Sequence, residues 1–296
     1  MMIKFVLSFL ICKKYISMFY LLLVSLIWAF SFSLIKVNLS GINPFFIAMI
    51  RMGISTLVFL PFIKKNSNWR VYLLLGAVQF GLMYLFYLSA FKYLKAYEIA
   101  LFTISTPIFV TLINDILNKK FNFINFITSF LVVVGAFILR YKSIESSFLI
   151  GFLLMQCSNI SFAIGHVFYK RYFNISKIKD YSIFAYLYIG AFIVTLIPTL
   201  YVVDMSSISI SNNQLYALLY LGVLPSGVGF FLWNYGVRRS SIGISSIFNN
   251  LKIPLAISVS LLFFKETTNL TKLLLSFIIM VCAIYLNKKF KTDEIY

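Results

Sequence analysis

The sequence predicts an all-α membrane protein: ten transmembrane helices in two inverted five-helix repeats around a central cavity. Three observations carry this. Of 296 residues, 61% are hydrophobic and 11% charged, against about 25% charged in soluble domains, so too little polar surface remains to keep a soluble fold dispersed. The basic residues fall in short clusters between apolar runs, among them Lys13 and Lys14, Lys64 and Lys65, Lys119 and Lys120, Lys170 and Arg171, Arg238 and Arg239, and Lys288 and Lys289, as anchors at membrane interfaces do. Finally, the two halves of the chain resemble each other weakly.

Apolar runs of about 20 residues cross a bilayer core as helices. Read in order, such runs cover about 16–36, 43–63, 70–91, 97–117 and 122–140 in the first half. The second half holds 148–169, 181–203, 213–237, 241–264 and 270–287. The breaks are explicit: KKNSNWR (64–70), NKKFN (118–122), YKSIESS (141–147), KRYFNISKIKD (170–180) and DMSSISISNN (204–213). None is long enough for an extramembrane domain. Two units follow, 16–140 and 148–288. Residues 1–12 are apolar but short, with Lys13 and Lys14 after the run, which is not a cleavable signal pattern. Met18 is a second candidate start.

With both termini inside, the inside segments carry 17 Lys and Arg and the outside loops 7, leaving Arg51 and Lys252 within spans. That bias places both termini in the cytoplasm. The same distribution argues against nucleic acid as a partner, although the net charge is +18. The basic residues anchor spans rather than form one groove-shaped face. Cys12, Cys157 and Cys282 lie in apolar segments without metal spacing and read as buried thiols. No cofactor or metal is expected.

WAFSFSLIK (28–36) aligns with FAIGHVFYK (162–170) at an offset of 134, and LGAVQFGLMYLFYLSAFK (75–92) with LGVLPSGVGFFLWNYGVR (221–238) at 146. Pro107 answers Pro254 at 147. Five spans per half is an odd number, so the second half sits upside down, which is the architecture of many secondary transporters. Corresponding Pro-interrupted helices point to the central site. Each proline frees the carbonyl four residues back, at Thr103 and Asn250. Those carbonyls face a wet cavity, or a neighbouring hydroxyl satisfies them. Pro107 and Pro254 are the candidate hinges.

In the span at 241–264, Ser241, Ser245, Asn249, Lys252, Ala256 and Ser260 share one helical face. A lysine in mid-span facing lipid costs about 2.5–3.5 kcal/mol, so this face turns inward. Lys252 is either a cation bonded to carbonyls near the two prolines or a binding cation for an anionic or zwitterionic substrate. Arg51 reads as structural, near enough to the membrane edge to snorkel part of the way. His166, the one histidine, is a packing residue or a proton relay. Other candidates for the cavity wall are Trp28, Phe32, Tyr84, Tyr87, Tyr169, Trp233 and Asn234, with core packing as the alternative for each. Glu98, Asp115 and Glu266 lie near span ends and the other acids in loops or the tail, so no mid-span carboxylate is present to carry a proton.

WAFSFSLIK with Pro44 and Arg51, then FYLSAFKYLKAYEIALFTISTPIFVTLINDIL, then GFFLWNYGVRRSSIGISSIFNNLKIPLAISVSLLFFKE, resemble in order and spacing the EamA family of the drug/metabolite transporter superfamily. The resemblance covers residues 18 to 288. It implies ten helices in inverted repeats and alternating access for small metabolites. Lys252 narrows the expected substrates to amino acids or related carboxylate-bearing solutes, with a proton or counter-substrate as coupling partner. The expected location is the bacterial cytoplasmic (inner) membrane. A channel-like pore is an alternative, without a visible ring of filter residues. An intramembrane enzyme is another, without G-x-S-x-G, H-E-x-x-H or an acidic pair. Nothing in the sequence specifies an oligomeric state.

Overall fold

The computed structural model describes residues 2–119, 123–139, 146–173, 180–240 and 242–289. The helices are α1 (Met2–Asn38), α2 (Pro44–Phe59), α3 (Trp69–Gly76), α4 (Met83–Ala90), α5 (Ala96–Phe102), α6 (Thr106–Leu117) and α7 (Ile124–Leu139). They continue as α8 (Ser146–Phe173), α9 (Asp180–Val202), α10 (Asn212–Leu221), α11 (Gly229–Arg238), α12 (Ile242–Leu262) and α13 (Leu270–Lys289). No strand occurs among the described residues.

Among the described residues seven stretches are long and apolar enough to cross a membrane: Ile16–Asn38, Pro44–Phe62, Trp69–Ala90, Ala96–Leu117, Ser146–Tyr172, Asp180–Val202 and Asn212–Arg238. This is a multi-pass membrane protein. The predicted spans at 122–140, 241–264 and 270–287 are also helical, as α7, α12 and α13, and the apolar stretch of α12 among the described residues is Phe248–Leu262. In α13 the apolar part is Leu270–Ala283.

Three spans that read as single helices are broken into segments. α3 and α4 are joined by a π-helical stretch, Ala77–Leu82, and α10 and α11 by another, Gly222–Val228. The two stretches fall at the 146-residue offset of the sequence repeat to within one residue. A 3₁₀ turn, Thr103–Ser105, joins α5 to α6. Close backbone contact fixes α3 against α9: a Cβ on Gly76 would lie 1.9 Å from the Leu187 carbonyl oxygen, and one on Gly190 2.0 Å from that of Leu73. Only glycine permits this approach.

Hydrogen bonds gather the loops at two ends. At one, Lys36 Nζ donates to the carbonyls of Phe91 (2.6 Å) and Leu94 (2.9 Å), and Lys95 Nζ to that of Thr267 (2.7 Å). There Glu266 accepts from the amides of Ala96 and Tyr97 and from the Ser260 hydroxyl. At the other end Asp180 pairs with Arg238 (2.9 Å) and Arg239 (3.2 Å) and accepts from Tyr169 OH (2.8 Å). Lys170 Nζ there donates to the Ser240 carbonyl (3.3 Å), and Arg171 reaches Asn114 and Asn118. Between the ends lies an aromatic core that includes Phe80, Phe184, Tyr188 and Trp233, all almost wholly buried.

Candidate functional site

A central cavity is lined by residues of α1, α2, α4, α6, α8, α11 and α12 and the 3₁₀ turn. Aromatic walls come from Trp28, Phe32, Tyr84, Tyr87, Phe162 and Phe230. Among the described residues the polar lining is Ser31, Thr103, Thr106, Ser158 and Asn159, with two cations, Arg51 and Lys252, and no Asp or Glu.

Lys252 reaches the cavity because the polar stripe of α12 turns inward. Ser245, Asn249, Lys252, Ala256 and Ser260 are all buried, while Leu262 is exposed. Ser241, which opens the predicted stripe, lies outside the described residues. Lys252 Nζ donates to Asn249 Oδ1 at 3.0 Å and stands 5.1 Å from the centroid of the Trp28 ring. A neutral amide and a π-face hold an ammonium in place without neutralising it.

Arg51 projects from α2 and is 1% exposed. Its Nε donates to Ser226 Oγ (3.0 Å) and its Nη2 to Tyr84 OH (2.9 Å), with the guanidinium 4.7 Å from the Tyr84 ring centroid. Tyr84 OH and Ser226 Oγ are 2.8 Å apart and close the triad. Local sequence explains why Ser226 is there. Pro225 has no N–H, so the α-type bond to the Leu221 carbonyl four residues back cannot form, and the backbone opens into the π stretch with its five-residue bonds. The Ser226 hydroxyl also donates to that carbonyl, at 2.7 Å. Other side chains reach four carbonyls of this π stretch: Ser55 at Gly222 (2.9 Å), Trp28 Nε1 at Pro225 (3.0 Å), and Tyr188 OH, 2.7 Å from those of Ser226 and Gly227. Both aromatic wall and guanidinium are thereby tied to one irregular segment.

Of the candidates read from the sequence, Trp28, Phe32, Tyr84, Tyr87, Thr103 and Lys252 line the cavity. Asn249 stands behind Lys252 as its acceptor. Asn250 is half-buried and outside the wall. Trp233 packs behind Trp28, ring centroids 5.1 Å apart. Asn234 accepts from Gln79 Nε2 at 3.1 Å away from the cavity. His166 lies behind Phe162, ring centroids 5.9 Å apart, and its Nδ1 has no hydrogen-bond partner among the described residues. Tyr169 belongs to the Asp180 cluster at one end. Pro107 starts α6 after the 3₁₀ turn, and the Thr103 carbonyl accepts from the Thr106 amide. The expectation of a free carbonyl there is corrected: the turn tightens by one residue and uses it. Pro254 lies within α12 with its ring exposed.

Arg51 read as structural, yet it lines the cavity. Ser158 and Asn159 were passed over although they form a polar pair in mid-span. Asn159 Nδ2 donates to the Phe102 carbonyl and to Ser105 Oγ, both at 2.9 Å, bracing the 3₁₀ turn. The cysteines read as buried differ too: Cys157 and Cys282 are exposed on helix surfaces, facing outward among apolar residues. Cys12 lies in α1 among residues whose side chains are not described.

Relatives place this geometry. A protein of Salmonella typhimurium named "Biotin transporter" is 34% identical over 275 residues, spanning 91% of this chain and 92% of its own. A "Probable biotin transporter" of Pseudomonas aeruginosa is 35% identical over 91% of this chain and 96% of its own. A Bacillus subtilis protein named "Uncharacterized transporter YdfC" is 25% identical over 288 residues, covering 91% of this chain and 90% of its own. A solved crystal structure at 14% identity covers 94% of this chain and 98% of its own with a TM-score of 0.67, a likeness of fold. A sequence model of the EamA-like transporter family matches residues 15–141 and 149–288. An apolar multi-pass chain with a cationic cavity in its middle therefore belongs to the EamA-like transporter family.

Proposed function

We propose that this protein is a secondary active transporter of biotin or closely similar amphipathic monocarboxylates, working by alternating access across the bacterial cytoplasmic membrane. The carrying observation is the buried Lys252 ammonium facing an aromatic cavity that has no acidic residue in its wall. A carboxylate is the group that such a cation takes, and an apolar body suits the rings around it. The names of the relatives favour biotin within that class.

The amino-acid reading is set aside. An amino acid brings an α-ammonium that needs a carboxylate or a cluster of carbonyls. The wall offers two cations and no Asp or Glu, and no relative's name supports it.

In this reading the chain crosses the membrane ten times, as two inverted five-helix units at 16–140 and 148–288, with both termini in the cytoplasm. Two structural pairs support inversion. Lys36 and Lys170 end the segments aligned at offset 134, and Leu94 and Ser240 are related by 146. Each lysine donates to its own unit's carbonyl, one at each end of the bundle. The two π stretches are the second pair. α7 and α13 pack on each other, with Ser276 Oγ donating to the Gly135 carbonyl at 2.6 Å, as the outermost helix of each unit.

The test is growth. Expressed in a biotin-requiring bacterium stripped of its own uptake, the wild-type chain restores growth at low external biotin. A chain that restores nothing while inserted at normal levels refutes the reading.

A further inference from the structure

The carboxylate reading uses Lys252 and leaves the second cation without a task. Arg51 is 1% exposed and lines the same cavity. Its Nε and Nη2 are engaged by Ser226 Oγ and Tyr84 OH. An arginine carries five N–H donors, and the two hydroxyls here take one from Nε and one from Nη2. Its Nη1 has no hydrogen-bond partner among the described residues. A buried N–H left unmet is a site waiting for an acceptor. What remains is a charge-assisted donor group, the two N–H bonds of Nη1 and the second of Nη2, and with the carboxylate taken by Lys252 the acceptor left for it is a neutral carbonyl oxygen.

Lys252 is the complementary case, a compact point charge with one of its three donors spent on Asn249. Trp28 relates the two cations. Lys252 Nζ lies over its ring, and the ring's Nε1 donates to the Pro225 carbonyl. Pro225 is the residue before the Ser226 that Arg51 holds. One cation therefore addresses the indole face and the other is tied to the segment at its N–H edge.

We infer that Arg51 Nη1 reads the neutral polar head of the substrate, the ureido carbonyl oxygen of biotin, while Lys252 takes the carboxylate at the other end. This rests on the carboxylate reading above. The cavity then selects for two groups at once: an anion and a neutral carbonyl acceptor, separated by an apolar body lying along Trp28 and Phe230. Simple fatty acids supply only the first, and biotin amide only the second. In 2-iminobiotin the ureido oxygen is replaced by a cationic imine that carries no acceptor for Arg51 and is repelled by it.

The experiment measures equilibrium binding of biotin, biotin amide, 2-iminobiotin and dethiobiotin to the purified protein in lipid nanodiscs. The wild type is expected to bind biotin and dethiobiotin comparably, and the amide and imino forms about 10- to 100-fold more weakly, as loss of one charge-assisted bond requires. In Arg51→Gln, biotin and 2-iminobiotin should fall within about threefold of each other while the amide penalty persists. In Lys252→Met the pattern should reverse. Where Arg51→Gln does not fold, Arg51→Met, which removes both the charge and the donors, should lose the same discrimination. An Arg51 variant that still rejects 2-iminobiotin as the wild type does, or that loses the amide penalty instead, overturns this assignment and leaves the carboxylate reading standing. A folded wild type that binds none of the four overturns both.

Discussion

The ammonium at position 252 lines the cavity, and its inward direction is legible from spacing alone. Ser245, Asn249, Lys252, Ala256 and Ser260 recur at three and four residues, and all five are buried. Arg51 was not legible in the same way. Its partners are 33 and 175 residues away, at Tyr84 and Ser226, and no local pattern announces such pairing. Two predictions belong at this scale. Lys252→Met should insert and remain monodisperse, since it removes an uncompensated buried charge, but lose biotin affinity by about 10- to 100-fold, read by equilibrium binding. Ser226→Ala leaves the Leu221 carbonyl and Arg51 Nε without a side-chain partner. It should cost about 2–4 kcal/mol, on the scale of unsatisfied buried groups, and lower the thermal midpoint in detergent by several degrees. An unchanged midpoint would show that the triad carries no stability.

At the scale of elements, the apolar runs gave the helices and missed their irregularities. Hydropathy reports what faces lipid, and the π stretches at Ala77–Leu82 and Gly222–Val228 leave it unchanged. They hold one residue more per turn than the 3.6 period expects. Pro225 gave a local signal in the second stretch, whereas the weight fell on Pro107 and Pro254. Packing also hides from pattern: Gly190 reads as an ordinary small residue until its contact with the Leu73 carbonyl is seen. Gly190→Leu must push α9 off α3, a backbone contact that cannot yield. The expected result is loss of folded protein by fluorescence-detected size exclusion. At one end of the bundle, Asp180→Asn removes the charge that Arg238 and Arg239 share. If this cluster closes that end, a cysteine placed at Met155 in the cavity wall, with the native cysteines replaced, should react about tenfold faster with a membrane-impermeant thiol reagent. An unchanged rate assigns the cluster to stability alone.

Over the whole molecule, composition and charge bias settled the class, and the internal repeat supplied the architecture we propose. Of the ten crossings expected, seven are apolar helices of spanning length among the described residues, and the other three runs are helical as α7, α12 and α13. Substrate identity lay beyond the sequence. Lys252 specifies an anion, and only the cavity's aromatic, acid-free wall together with the relatives' names moves the reading from amino acids to biotin. The central claim is that this chain exchanges a carboxylate-bearing biotin through a cavity governed by Lys252. Counterflow in proteoliposomes tests it most directly: vesicles preloaded with unlabelled biotin and placed in trace labelled biotin. The account predicts a transient accumulation of label above equilibrium in wild type that is absent in Lys252→Met. Accumulation undiminished in the variant, or none in the wild type, would contradict it.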